Sequence, residues 1–260
     1  MGMWIAPHLA SDPTPLPGAR LGRDPERAIK RGPRRLSAEA VAATQRDRLF
    51  DGLVHEVAAH GYDNARVTDI CRAAGVTRPA FYALFAGKED AFLATYRHGT
   101  AVLLRLMDEA YQQAGPEWTD AARAALRTLL EVLASVPGFA RMALVEIDAA
   151  GPAARRERDL LLAEFHRFFP PTRRRAPLSD ADEELLVTAV VGGIHTTVRQ
   201  RVAQGRATEL PQLLPVLTYA ITAPFLGPAA AGRAAHTVEA DATPGVTAPC
   251  AADPVLPPRP

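Results

Sequence analysis

Residues 67–85 read VTDICRAAGVTRPAFYALF, and this stretch decides the fold. Two short segments with helical apolar spacing, 67–74 and 78–85, flank Gly75-Val76-Thr77. A short turn containing glycine between two short helices is the spacing of a helix-turn-helix. Ile70, Ala73 and Ala74 face inward from the first helix, and small alanines let the second cross it closely. Thr77 offers its hydroxyl as N-cap to the second helix. Phe81, Leu84 and Phe85, at i, i+3 and i+4, anchor that helix to a core. Arg78, Pro79, Tyr82 and Ala83 are left on its opposite face.

The rest of the chain follows the same period. In 88–113, Phe92, Tyr96, Leu103, Leu106, Met107 and Ala110 share a face; in 117–135, Trp118, Ala122, Leu126, Leu129 and Leu133 do. Long alternating Val/Ile runs are absent. The spacing predicts an all-α protein of about nine helices: 44–60 ending at Gly61, 67–74, 78–85, 88–113, 117–135, 138–149, 153–168, 180–204 and 208–226. Six of the 23 prolines fall in 1–35 and seven in 228–260, where no apolar period appears. Both ends therefore read as disordered tails.

The 260 residues are 48% hydrophobic, enough for a sizeable core, and the formal net charge is +1. A strongly basic chromatin-type protein is excluded, but a local basic patch is not. In 20–35, seven basic residues (Arg20, Arg23, Arg27, Lys30, Arg31, Arg34, Arg35) stand against Asp24 and Glu26, a net +5. The two cysteines, Cys71 and Cys250, exclude a disulfide scaffold and a Cys-based zinc site, and suit a reducing cytosol. No apolar run of membrane-spanning length and no secretory signal is read, so a cytoplasmic protein without membrane association is expected.

Residues 46–96 carry Gly61-Tyr62 after the first helix, Val67 with Asp69-Ile70, Ala74-Gly75-Val76-Thr77, Phe81-Tyr82, Phe85, and Lys88-Glu89 opening the fourth helix. In this order and spacing they resemble the N-terminal domain of TetR-family transcriptional repressors. The resemblance implies a disordered basic arm over 1–35, a three-helix DNA-binding domain over 36–96, a helical ligand-binding and dimerisation bundle over 97–227, and a disordered tail over 228–260. It implies a homodimer on double-stranded DNA, with recognition helices in successive major grooves of a pseudo-palindromic operator. Arg78 is then the base reader, bidentate to guanine, with Thr77, Pro79 and Tyr82 beside it. Arg66 and Lys88 are the phosphate contacts, and Arg34 and Arg35 in the arm either follow DNA or belong to a solvated tail.

Three positions depart from the family. Arg66 replaces the usual hydroxyl cap, so the box with Asp69 is missing. Ala80 and Leu84 replace polar residues on the DNA side. An alternative follows from them, a dimeric small-molecule-binding protein whose DNA recognition is weak or lost.

A repressor requires a switch, which places an unknown small-molecule effector in the bundle. Candidate liners are Met107, Tyr111, Trp118, Phe139, Met142 and Phe165, although such residues at helical spacing equally form plain core. Gly192-Gly193 in mid-helix cost roughly 2 kcal/mol against Ala, which a closely approaching partner helix would offset. Gly192, Gly193, His195 and Tyr219 are therefore expected at the dimer interface. No His-x-x-x-His, Gly-x-Ser-x-Gly, Walker loop or Gly-x-Gly-x-x-Gly is present. No catalytic residue, metal site or cofactor is expected, and no enzyme.

Overall fold

Ser37 starts the first helix: its hydroxyl accepts the Ala40 N–H at 3.1 Å, and α1 runs Ala38–His60. It begins earlier than 44–60 because Ala-rich 38–43 favours helix. The computed structural model describes residues 15–22, 37–169 and 179–236. The helices that follow are α2 Val67–Ala74, α3 Arg78–Leu84, α4 Lys88–Gln113, α5 Trp118–Ser135, α6 Pro137–Leu144, α7 Pro152–Glu164, α8 Asp180–Ala203, α9 Leu214–Leu226 and α10 Pro228–Ala235. No strand occurs among the described residues.

Three expected helices are divided. The 138–149 helix is α6 plus a 3-10 turn at Glu146–Asp148, and the 153–168 helix is α7 plus a 3-10 turn at Phe165–Phe168. In 208–226, a 3-10 segment at Ala207–Leu213 gives way to α9, with Pro215 in the first turn. Proline has no N–H to give to a preceding turn, so a new helix starts there.

Two segments read as disordered tail, 15–22 and 228–236, are ordered, and the rest of both tails lies outside the described residues. Residues 228–235, read as tail, form α10: proline opens it, alanines favour it, and Ala231 and Ala235 are buried. Residues 15–22, read as part of the arm, lie against α1. The Gly18 N–H donates to the buried Asp51 carboxylate at 2.8 Å, and Leu16 is buried. Arg48 spans the seam, its Nε donating to Gly22 O at 2.8 Å and its Nη2 to Gly75 O at 3.0 Å. A Cβ at Gly22 would lie 2.8 Å from Ala73 O and from Ala74 Cα, so only glycine fits against α2. Proline content alone suggested a solvated tail; the segment is held by backbone hydrogen bonds that hydrophobic periodicity does not register.

One core joins the N-terminal head (α1–α3 and the start of α4) to the bundle. It passes from Leu49, Leu53 and Ile70 through Phe81, Phe92 and Tyr96 to Leu130, Phe139 and Met142. Two glycines set helix spacing in it. A Cβ at Gly52 would sit 2.8 Å from Ala74 N and 2.9 Å from Ile70 O, so α1 and α2 touch backbone to backbone. A Cβ at Gly99 in α4 would sit 2.2 Å from the Phe139 ring.

A polar joint locks the head to the bundle. The Tyr62 N–H, in the turn between α1 and α2, donates to Glu146 Oε2 at 3.0 Å, and this contact is buried. Glu146 follows α6 and is paired with Arg141 at 3.1 Å. The Tyr62 carbonyl accepts from Lys88 Nζ at 2.7 Å, and the same ammonium lies 4.2 Å over the Tyr62 ring. That ring meets Phe92 edge-on at 5.2 Å. Burial lowers the Lys88 pKa from its ordinary value, opposed by nearby Asp63. Burial raises that of Tyr62, helped by Glu89 and Asp63.

Two stability outcomes follow. Gly52→Ala gains helix propensity but forces backbone apart, so we expect a net loss of about 1–3 kcal/mol, read as a lowered Tm in a thermal scan. Glu146→Ala strands a buried N–H that now meets a charged acceptor. We expect a loss of about 1.5–3 kcal/mol, measured by urea unfolding.

Candidate functional site

The turn between α2 and α3 is built as its residues require. Gly75 adopts φ 60°, ψ 36°, the left-handed region, and its N–H caps α2 on Arg72 O and Cys71 O. Thr77 Oγ1 accepts the Ala80 N–H at 3.4 Å, with Pro79 in the first turn of α3. Arg66 stands at the N-cap of α2 without a side-chain capping bond. Inside the corner, Ile70, Ala74 and Phe81 are fully buried; Ala73 is half-buried. Cys71 is buried too, which raises its thiol pKa, while the Arg78 charge lowers it.

Outside the corner, Thr77, Arg78, Pro79, Tyr82 and Ala83 are all exposed. Tyr82 is 51% exposed, its ring edge-on to Phe81 at 5.3 Å. Arg78 forms no ion pair or hydrogen bond with any described side chain, nor does exposed Arg66. By contrast Arg72 is tied to Asp69 at 2.9 Å. One end of α3 thus presents a free guanidinium and a phenol side by side.

Ala80 and Leu84 are half-buried and pack against the core, so these two departures lie at the edge of the presented face, not in its middle. Lys88 differs from its expected place. Its ammonium is drawn to the Tyr62 carbonyl, and to the Asp63 carbonyl at 3.5 Å, because the start of α4 abuts that turn. It belongs to the joint rather than to the open surface. Arg34, Arg35 and the rest of 23–36 lie outside the described residues, as do Arg173–Arg175 and Cys250.

The bundle encloses an apolar cavity of about 90 Å³ between α4, α5, α6, α7, α8 and α9. Of the six candidate liners, Met107, Phe139 and Phe165 border it. Tyr111, Trp118 and Met142 do not. Tyr111 lies 5.6 Å from the Phe168 ring, Trp118 Nε1 donates to Phe168 O at 2.9 Å, and Met142 is wholly buried in the core. Sequence spacing gave each helix's apolar face but not which part of that face borders the gap. Tyr96, Arg158 and His195 line it without having been expected there.

His195, expected at the dimer interface, lines the cavity. Val191, Ile194, His195 and Val198 line the cavity from one stripe of α8. His195 Nε2 is buried without a hydrogen-bond partner, and burial lowers the imidazole pKa, with Arg158 and Arg199 adding to that. Its neighbours in sequence point elsewhere. Gly193 is exposed, and a Cβ at either Gly192 or Gly193 would meet nothing within 4 Å. Leu185, Val216 and Tyr219 are 67%, 58% and 40% exposed on α8 and α9.

Among the described residues, no group of three or more His, Cys, Asp or Glu side chains is placed to hold a metal ion. No single described helix is long and apolar enough to cross a membrane; α5 and α6 together reach that apolarity only across a 107° bend.

Residues 49–95 match the family of bacterial regulatory proteins, tetR family. No curated protein matches the sequence significantly. In structure the chain is similar to the fatty acid degradation regulator FadR from Bacillus halodurans, with TM-score 0.59 and 18% identity over 74% of this chain and 96% of that one. It is also similar to FadR from Bacillus subtilis, a transcriptional regulator seen in complex with stearoyl-CoA, with TM-score 0.57 and 16% identity over 69% and 97%. A TetR-like regulator from Rhodococcus sp. RHA1 gives 0.50 and 20% over 71% and 97%. These likenesses concern the fold; the family match is confined to residues 49–95, the stretch that holds the helix-turn-helix.

Proposed function

We propose that the protein is a ligand-responsive transcriptional repressor that binds a pseudo-palindromic operator as a homodimer. The observation that carries this reading is the outward end of α3, where Arg78 and Tyr82 stand exposed, neither side chain in a hydrogen bond or ion pair with a described residue. A helix of this kind enters a major groove by its N-terminal residues. There Arg78 donates in bidentate fashion to guanine O6 and N7, and Tyr82 offers its hydroxyl to phosphate. Thr77 and Pro79 shape the entry, and Arg66 contacts the backbone. Arg34 and Arg35, in the basic arm, add charge along the phosphates.

The dimer reading is supported by the bare side of α8. Two mid-helix glycines with open space beside them gain nothing within one chain, and Leu185 on α8 and Val216 and Tyr219 on α9 are exposed. A second copy, crossing at Gly192 and Gly193, would bury these side chains.

The effector reading is supported by the cavity. Its walls favour an aliphatic chain, and the stearoyl-CoA complex of the Bacillus subtilis relative suggests an acyl ligand. A 90 Å³ space is smaller than the 150 Å³ or so of an engineered cavity that holds benzene. An acyl chain therefore has to spread the helices, and a ligand shifts a conformational equilibrium only through such differential contact. α6 is one wall, through Phe139, Ala143 and Leu144, and it leads into Glu146 at the Tyr62 joint.

The alternative, a ligand-binding dimer without DNA recognition, draws on Ala80 and Leu84, but both are partly turned into the core. Binding to the chain's own upstream DNA separates the readings. Mobility shifts across a salt series should give log K falling linearly with log salt. Arg78→Ala should cost about 1–3 kcal/mol and relax preference at one base per half-site. Arg66→Ala should weaken all sequences alike and flatten the salt slope. A dimer that binds no such fragment at low salt would establish the alternative.

A further inference from the structure

The cavity is lined by carbon except for three polar side chains besides Thr100, whose hydroxyl already donates to Tyr96 O at 2.8 Å. Tyr96 in α4 is 2% exposed, and no described residue hydrogen-bonds its hydroxyl. His195 in α8 has its Nε2 buried and unpartnered. Arg158 in α7 lines the cavity, yet its side chain is 21% exposed, so it marks where the cavity meets the surface. Its charge acts on both other groups, lowering the pKa of Tyr96 against the larger raising effect of burial and adding to the lowering at His195.

Buried polar groups in folded proteins are almost always paired, and leaving one unpaired is costly. His195 Nε2 is such an atom; with the Tyr96 side chain on the same apolar cavity and a guanidinium near both, it calls for a ligand that pairs it. A phenol donates, and a neutral imidazole donates from one ring nitrogen. The charge of Arg158 is largely answered, by Asp148 at 2.6 Å and Asp159 at 2.9 Å, and Asp148 is shared with Arg199 at 3.1 Å. The site is therefore rich in donors without a strong excess of positive charge. Its complement is a hydrogen-bond acceptor on an apolar chain.

We propose that Tyr96 and His195 recognise the carbonyl oxygen of an acyl ligand, with Arg158 at the mouth, so that the site selects acyl over alkyl chains. This rests on the reading of the cavity as the effector site. A free carboxylate and a thioester both carry that oxygen. The near-neutral balance of charges around Arg158 lets either enter, with the rest of the head group passing out beside Arg158.

The test uses lauroyl-CoA and S-dodecyl-CoA, which differ at the carbonyl, with free laurate as a third probe, titrated calorimetrically into the full-length protein. The unaltered chain should bind lauroyl-CoA roughly tenfold more tightly than S-dodecyl-CoA, the effect of a hydrogen bond or two. Tyr96→Phe keeps the ring and removes only the hydroxyl; it should bring the two thio-linked probes toward parity while leaving S-dodecyl-CoA affinity unchanged. His195→Leu should do the same, and an unchanged Tm would show that either variant folds. Tighter binding of laurate than of lauroyl-CoA would identify the carboxylate as the source of the acceptor. Equal binding of the two thio-linked probes by the unaltered protein would overturn carbonyl recognition while leaving the cavity as a chain-binding site. Failure of all three probes to bind would overturn both.

Discussion

The amide of Tyr62 is held by a carboxylate that belongs to the other half of the molecule. At 3.0 Å, in a buried setting, Glu146 takes the N–H of the turn that precedes α2, while Lys88 takes the carbonyl of the same residue. Hydrogen bonds to ionised groups are worth about 1.5–3 kcal/mol; the Glu146 bond is buried and the Lys88 bond partly so. The turn is thus clamped from two sides, by the end of α6 and by the start of α4. α2 and α3 hang from that turn, so the direction in which Arg78 points depends on where Glu146 sits. Apolar packing alone would join the two halves; the polar clamp fixes their register.

The same geometry links the cavity to the reading head. Phe139 fills the notch left by Gly99 in α4 and also borders the cavity, so α4 and α6 cannot part without moving that ring. A ligand larger than the existing space would act on these two helices, which are the two that reach Tyr62. Packed interiors have few intermediate arrangements, so a displaced wall is passed on rather than absorbed. In a dimer crossing at α8, a small tilt of each head would change the separation of the two recognition helices, which groove spacing on DNA does not forgive.

Much of this was legible in the residues. Gly75, Thr77, Phe81 and Phe85 dictate the corner through local chemistry, and α2, α3 and α4 lie within a residue of their expected spans. The places where the reading failed share a cause. Lys88 reads as a phosphate contact, and its contact with the Tyr62 carbonyl goes unread because a carbonyl has no letter of its own. Glu146 drew no notice for the same reason, since it answers a backbone N–H 84 residues away. Segment 15–22 is likewise pinned through Gly18 and Gly22 backbone atoms. His195 reads with its adjacent glycines as an interface residue, whereas the stripe Val191, Ile194, His195, Val198 also brings it to the cavity.

The clamp at Tyr62 is tested most directly by amide hydrogen exchange resolved to single residues. If Glu146 holds the turn, the Tyr62 amide exchanges only with global opening, as slowly as the amides of Leu53 and Val54 in α1. An exchange rate at Tyr62 as fast as that of a solvent-exposed turn amide would show that the two halves are not joined there, and the route from cavity to recognition helix would be lost.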